Sequence, residues 1–308
     1  MASYISIAPN ALLDHFSLGE LLRLSRVCHA VRDRVSTYLD DHLSPSVLLR
    51  PYFTPPQIDV FAALQQDAGI LITGMTAFHF INRSLSRSTR LDLLVDDSNS
   101  DGLIVWLQVV GYTGMALPPI EYPDSDDSVD DDDVQPDAVV SPSFVQDVMH
   151  FENAEHRVIR LVLSRSDPIA VILGSSITSA MNFLSATGAY CLYPHSTLER
   201  FEGLRIHNGT GDIDGFSVDF FEAQGGTVIE RLSDAERNNP SSDFYTGNGI
   251  PSRRVIGDRK TWMFLLVTDA PLLDPPSWWL VYHNNRAYTQ LDRMPSSSHA
   301  GFVQLSFW

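Results

Sequence analysis

Apolar side chains recur every three or four residues through the first forty positions of the chain, a period typical of amphipathic helices. Ser17 interrupts this pattern and is followed three residues later by Glu20, which is the spacing of a capping box at a helix start. We therefore expect a group of short helices over residues 9–40. The apolar positions are Leu12, Leu13, Phe16, Leu18, Leu21, Leu22, Leu24, Val27, Val31, Val35 and Leu39.

After residue 56, helical and strand patterns alternate. The predicted elements are a helix over 57–68 that ends at Gly69, a strand in GILIT, a helix from Met75 to about Arg83, a strand in LDLLV, a helix over 101–110, a strand in HRVIRLVL, and an apolar helix that leads into a strand between 168 and 194. The predicted fold class is α/β (α+β), a mixed sheet with flanking helices behind a small N-terminal helical head.

Breaks in composition divide the chain into three predicted regions. Residues 1–50 form the helical head, residues 51–205 the α/β core, and residues 206–308 a β-rich C-terminal region packed on the core. The last region is rich in turn residues, and its strand-like runs are FSVDFF, TWMFLLV, WWLVYH and FVQLSFW.

An acidic insertion interrupts the core at residues 118–142. Eight aspartates lie within it, and removing their charges from the net charge of −17 leaves −9, so the remainder of the chain is still acidic. We expect no nucleic-acid partner, since a phosphate backbone would be repelled. The insertion is predicted to be solvated and without fixed structure, and the competing interpretation is an acidic docking segment for a basic partner.

The cysteines and the hydropathy of the chain indicate in which cellular compartment we expect the protein. Cys28 and Cys191 lie far apart and lack CxxC spacing, so neither a disulfide framework nor a zinc site is expected. No run approaches the roughly 18 apolar residues that a membrane span needs. The chain also starts without the basic and apolar segments of a secretion signal, so we expect a cytoplasmic or nuclear protein without membrane partners.

The most informative stretch is GILITGMTAFHFINRSLSRSTRLDLLVDD. A strand ends at Gly74, a helix begins directly after it, and the next strand carries Asp92. A glycine at such a junction lets the backbone approach a phosphate, and two acids two residues apart on the following strand can hold metal ions. Arg90 occupies the first of those two acidic positions, and HRVIRLVL supplies Arg157 and Arg160 but no acid.

This arrangement resembles the nucleotidyltransferase superfamily, including its antitoxin-like (MNT/AbiEii-type) branch, in which an Arg and a Ser precede the acidic pair. Met75 stands where the family usually has Gly or Ser. The blocks ITGMTAF, STRLDLLV, WLQVVGYTG, SAMNFL and AYCLYPHSTLERF resemble, in order, basidiomycete fungal proteins of unassigned function that join an F-box-like start to a degenerate nucleotidyltransferase-like core. The residues that the resemblance implies for nucleotide binding are Gly74, Thr76, Arg83, Ser88 and Arg90.

Three interpretations of Asp92 remain open. It is a surface or turn-adjacent acid that pairs with Arg90 or Arg83, or it borders a residual phosphate pocket, or it is a vestigial catalytic carboxylate that works with Mg²⁺ and a nucleotide. One carboxylate is too few to offset the dehydration of a divalent ion, so we expect no metal site, no cofactor and no nucleotidyl transfer. Asp212-Ile213-Asp214 repeats the acid-x-acid form, but its glycine-rich surroundings favour a loop.

The run LGELLRLSRVCHAVRDRV resembles the later helices of an F-box, which binds a Skp-type adaptor protein. The resemblance implies an adaptor contact within residues 9–40, and the alternative is that these leucines pack against the α/β core.

The hypothesis for the whole chain is therefore a non-catalytic, F-box-like interaction protein with a pseudo-nucleotidyltransferase domain. The competing function is a divergent metal-dependent nucleotidyltransferase acting on a small molecule or a protein hydroxyl. The implied partner-binding residues are Leu18, Leu21, Leu22, Ser25 and Val31.

Overall fold

The computed structural model describes residues 10–83, 90–115, 144–207, 218–245, 253–266, 277–283 and 286–291. The helices are α1 (Asn10–Leu13), α2 (Leu18–Leu24), α3 (His29–His42), α4 (Pro45–Leu49), α5 (Pro55–Ala68), α6 (Gly74–Ile81), α7 (Asp101–Val109), α8 (Pro168–Leu173), α9 (Val218–Ala223) and α10 (Asp234–Arg237). The 3-10 turns are Asp97–Asn99 and Thr178–Ala180, and His195–Arg200 is a π-helix.

The strands are β1 (Leu71–Ile72), β2 (Arg90–Asp96), β3 (Thr113–Met115), β4 (Val145–Glu152), β5 (Val158–Ser164), β6 (Asn182–Leu184), β7 (Gly188–Cys191), β8 (Glu202–Leu204), β9 (Thr227–Ile229), β10 (Arg253–Val255), β11 (Trp262–Leu265), β12 (Ser277–His283) and β13 (Arg286–Leu291). Eight of them form one sheet in the order β11-β7-β6-β1-β2-β5-β4-β3. Neighbours in this sheet run antiparallel except β2 and β5, which are parallel. The predicted mixed α/β class is confirmed.

Both faces of the central strands carry buried apolar residues, as expected for strands covered from two sides. Leu91, Leu93 and Val95 of β2 enter one hydrophobic cluster, while Leu94 and its register partner Val162 on β5 enter a second. Strand β11 comes from the predicted C-terminal region and extends this sheet by pairing with β7. The remaining strands form a three-stranded sheet, β10-β12-β13, and a parallel pair, β8-β9.

Helix boundaries follow the local signals in the sequence. The Ser17 hydroxyl accepts a hydrogen bond from the Glu20 amide, and the Glu20 carboxylate accepts one from the Ser17 amide at 2.7 Å, so the predicted capping box of α2 is confirmed. Gly69 ends α5 in the left-handed conformation, with φ at 67°. Such a φ favours glycine because it has no Cβ to clash.

The helical head shares its core with the α/β region. Leu18, Leu21 and Tyr38 are buried in the same hydrophobic cluster as Phe80 of α6 and Leu91 of β2. Helix α2 also packs on the π-helix so closely that a Cβ on Gly19 would lie 2.6 Å from the carbonyl oxygen of Leu198. The short helices of the head therefore bury their apolar face against the domain that follows them.

One predicted strand is wrong. The run FSVDFF was expected to be extended, but Val218–Ala223 is the helix α9, with Phe221 fully buried. Short apolar runs do not distinguish a strand from a helix by period alone, and here the spacing of Val218 and Phe221 fits a helical face. The final run FVQLSFW, the acidic insertion, Ser88, Asp212 and Asp214 lie outside the described residues.

In the part of the chain that the structure describes, no helix combines the length and apolar character that crossing a membrane requires.

Substitution of Gly19 tests the contact between α2 and the π-helix. Gly19→Ala forces a Cβ against the Leu198 backbone, so we expect it to lower the free energy of unfolding by about 1–3 kcal/mol. The matched control is Gly102→Ala in α7, where a Cβ meets nothing within 4 Å and helix propensity favours alanine. Urea unfolding of both variants measures the difference. Equal stabilities of the two variants would contradict the close packing.

Candidate functional site

Asp92 lies at the centre of a buried ion-pair cluster on β2. Its side chain is fully shielded from solvent. Its Oδ1 atom lies 2.9 Å from Nε of Arg90 and 3.7 Å from Nη1 of Arg160. The expected pairing with Arg90 is present, but the expected surface or turn-adjacent position is wrong, because Asp92 is buried within β2.

The alternation of side chains along the strands brings these groups together. Arg90 and Asp92 are two residues apart and project from the same face of β2. The register places Asp92 beside Arg160 on β5, and Arg160 beside His150 on β4. Arg160, Asp92 and His150 therefore form one row across three neighbouring strands, with Arg90 next to it.

Burial and charge act on the Asp92 carboxyl in opposite directions. Burial raises its pKa above the ordinary value, while the positive charges of Arg90 and then Arg160 lower it. Removing one partner from a buried pair leaves an uncompensated charge, which typically costs about 3–5 kcal/mol. The cluster is therefore expected to be a sensitive element of the sheet.

The donor set around Asp92 does not fit a divalent cation. Metal ions of this kind take several oxygen ligands, and an arginine beside the carboxylate repels them. Both flanks of Asp92 are occupied by guanidinium groups. Among the described residues, no group of three or more His, Cys, Asp or Glu side chains is arranged to hold a metal ion.

Two of the predicted nucleotide ligands lie near Asp92 but have structural contacts. Gly74 begins α6 with φ at 61° and is buried. The Thr76 hydroxyl donates to the carbonyl of Arg90 at 3.2 Å and accepts from the amide of Asp92 at 3.3 Å. Thr76 thus joins α6 to β2. Its hydroxyl, which a phosphate ligand would need, is already engaged in these two hydrogen bonds.

Arg83, another predicted ligand, points away from Asp92 into the head. Its guanidinium donates to the carbonyl oxygens of Phe16 at 2.8 Å and Leu13 at 3.4 Å, and also to the Tyr38 hydroxyl. It also lies 4.8 Å from the centre of the Tyr38 ring. The phosphate pocket expected from the sequence is therefore not assembled around Arg83, whose role is to connect α6 to the head.

Tyr38 extends this connection toward solvent. Its hydroxyl donates to Oδ1 of Asp14 at 2.6 Å, and its ring stacks on His42. Burial, followed by the hydrogen bond to Asp14, raises the pKa of Tyr38 to about 12. The phenol therefore stays protonated and keeps its donor at neutral pH.

The residues predicted to bind an adaptor divide into two groups. Leu18 and Leu21 are buried in the shared core, with exposures of 1% and 0%. Leu22, Ser25 and Val31 are half-buried, and the Ser25 hydroxyl donates to the carbonyl of Leu22 at 2.7 Å. A partner that docks on the folded head reaches the second group and not the first.

Sequence reasoning missed a second buried polar cluster in the C-terminal region. Arg254 is 4% exposed, donates to Asp258 at 3.1 Å, and lies over the rings of Tyr193 and Trp278. The indole of Trp278 in turn donates to the Tyr193 hydroxyl at 3.1 Å. The i, i+4 spacing of Arg254 and Asp258 was the available signal, but it did not reveal the distant aromatic partners.

Comparison of the chain with known protein families, with characterised proteins and with solved structures finds no match. The resemblances to nucleotidyltransferases and to F-box proteins therefore stay predictions.

A double-mutant cycle tests the buried ion pair between Asp92 and Arg160. We expect Arg160→Met to cost about 3–5 kcal/mol of unfolding free energy, because it removes one of two partners of a buried carboxylate. The double variant Asp92→Leu with Arg160→Met should regain most of that loss, since Arg90 keeps partial contact with solvent. Urea unfolding gives the four free energies. Strictly additive losses would show that the two side chains do not interact.

Proposed function

We propose that this chain is a non-catalytic protein-interaction module, an F-box-like adaptor with a pseudo-nucleotidyltransferase domain. The observation that carries the proposal is the position of Asp92, which is completely buried beneath Arg90 and Arg160. A carboxylate in that position offsets part of the charge of two arginines and is not presented to a metal ion or a substrate hydroxyl. In this proposal the α/β region supports the head and does not perform chemistry.

The proposed adaptor surface consists of the outward side of the head. Leu12 is 47% exposed and Val27 is 72% exposed, while Leu22 and Val31 are half-buried. Exposed apolar side chains on short helices are the kind of contact that a helix-binding groove takes. The proposal therefore assigns docking to these residues and assigns Leu18 and Leu21 to the internal core.

Charge substitutions on that surface test the adaptor hypothesis. Val27→Asp together with Val31→Asp should weaken capture of a purified Skp-type adaptor at least about tenfold, because a buried uncompensated charge costs more than 1.4 kcal/mol. The matched control is Val109→Asp on α7, which is 77% exposed but lies outside the head. Binding is measured by titration, and circular dichroism confirms that each variant is folded.

Two results would overturn the adaptor hypothesis. One is equal adaptor binding by the wild-type chain and the head variant. The other is an absence of binding by the folded wild-type chain at micromolar concentrations, the range in which about 8 kcal/mol of binding free energy is detected.

The second candidate function is a divergent metal-dependent nucleotidyltransferase. Gly74 at the junction between β1 and α6, together with Asp92 on the following strand, favours it. Nucleotide turnover that requires Mg²⁺ and is lost in Asp92→Asn would support this function over the interaction module.

A further inference from the structure

The polar row on the central sheet has an excess of positive charge. Asp92 is flanked by Arg90 and Arg160, so the row holds two guanidinium groups and one carboxyl group. Among these three side chains, the sum of formal charges is positive whether or not Asp92 is ionised. The row belongs to a chain whose net charge is −17, which makes a local positive centre distinctive.

His150 adds a further nitrogen to this row. It lies beside Arg160 in the register of β4 and β5, and its side chain is half-buried. The Nδ1 atom of His150 is shielded from solvent and has no hydrogen-bond partner among the described residues. Burial, followed by the nearby charges of Arg160 and Arg90, lowers its pKa. Leaving such a nitrogen unpaired costs about 1–3 kcal/mol, which a ligand bound there can recover.

Access to the row comes from its two flanks. The Arg90 side chain is 28% exposed and His150 is half-buried, whereas Arg160 is 9% exposed and lies between them. Glu152, two residues after His150 on β4, is held by His156 at 2.6 Å. Arg90 and His150 are thus reachable from solvent, while Arg160 is buried between them, and the neighbouring Glu152 carboxylate has its own hydrogen-bond partner.

We propose that Arg90, Arg160 and His150 form an anion-binding site for a phosphoryl group, in which Asp92 is the carboxylate that offsets part of the charge of the two guanidinium groups. Guanidinium groups bind phosphate oxygens through charge-assisted hydrogen bonds. The site differs from the pocket expected from the sequence, because Arg83 is absent from it and Arg160 and His150 belong to it. It lies on the sheet and does not depend on adaptor binding by the head.

Phosphate binding to variants of the charged residues tests the site. Isothermal titration of the full chain with inorganic phosphate in EDTA should show binding. Arg90→Gln should weaken it at least about tenfold, the value of one charge-assisted hydrogen bond, and His150→Ala should weaken it by a smaller factor. Asp92→Asn should tighten it, because the substitution removes the competing negative charge. The matched control is Arg165→Gln just after β5, which is exposed and should bind like wild type.

Each outcome has a defined meaning. No phosphate binding by the folded wild-type chain at millimolar concentration, or equal weakening by Arg165→Gln, would overturn the proposal. Weaker binding in a folded Asp92→Asn variant would also overturn it, because the negative charge of Asp92 opposes an anion bound by the two guanidinium groups. If Asp92→Asn fails to fold, the comparison of Arg90→Gln with Arg165→Gln decides the matter. Parallel titrations with AMP and phosphoserine distinguish a nucleotide from a phosphorylated side chain as the source of the phosphoryl group.

Discussion

The structure depends on the burial of the head against the sheet. Helices α1, α2 and α3 have 4, 7 and 14 residues, and so small a group of helices rarely buries enough apolar surface to be stable alone. Their inward leucines instead join a cluster that continues through α6 into β2. Arg83 adds polar contacts along the same boundary by donating to the carbonyls of Leu13 and Phe16. The head and the α/β region are thus held by one core.

This shared core changes how the head can act. An F-box-like head that exposed Leu18 and Leu21 to an adaptor would have to leave the sheet, and that would open the core. Docking through outward residues such as Val27 has no such cost. The Asp92 carboxylate is likewise engaged in internal contacts, because the guanidinium groups of Arg90 and Arg160 flank it.

Local signals predicted the fold better than the site. The capping box at Ser17, the glycine at the end of α5 and the apolar runs of β2 and β5 depend on neighbouring residues, and the structure contains all of them. The destination of Arg83 depends on carbonyl oxygens about seventy residues earlier, which no local pattern records. Predicting the row formed by Asp92, Arg160 and His150 likewise requires the strand order and register, which the positions of these residues in the sequence do not give. For α9, a short run of aromatic residues fitted both periods, and tertiary packing decided between them.

Native-state hydrogen exchange tests the shared core most directly. If the head and the sheet form one cooperative unit, the most protected amides of α3 exchange with the same free energy as those of β2 and β5, within about 1 kcal/mol. The comparison uses residues buried in one cluster, such as Leu39 in α3 and Leu93 in β2. Exchange of α3 through an opening several kcal/mol below that of the sheet would contradict this account, because the head would then separate while the sheet stayed folded.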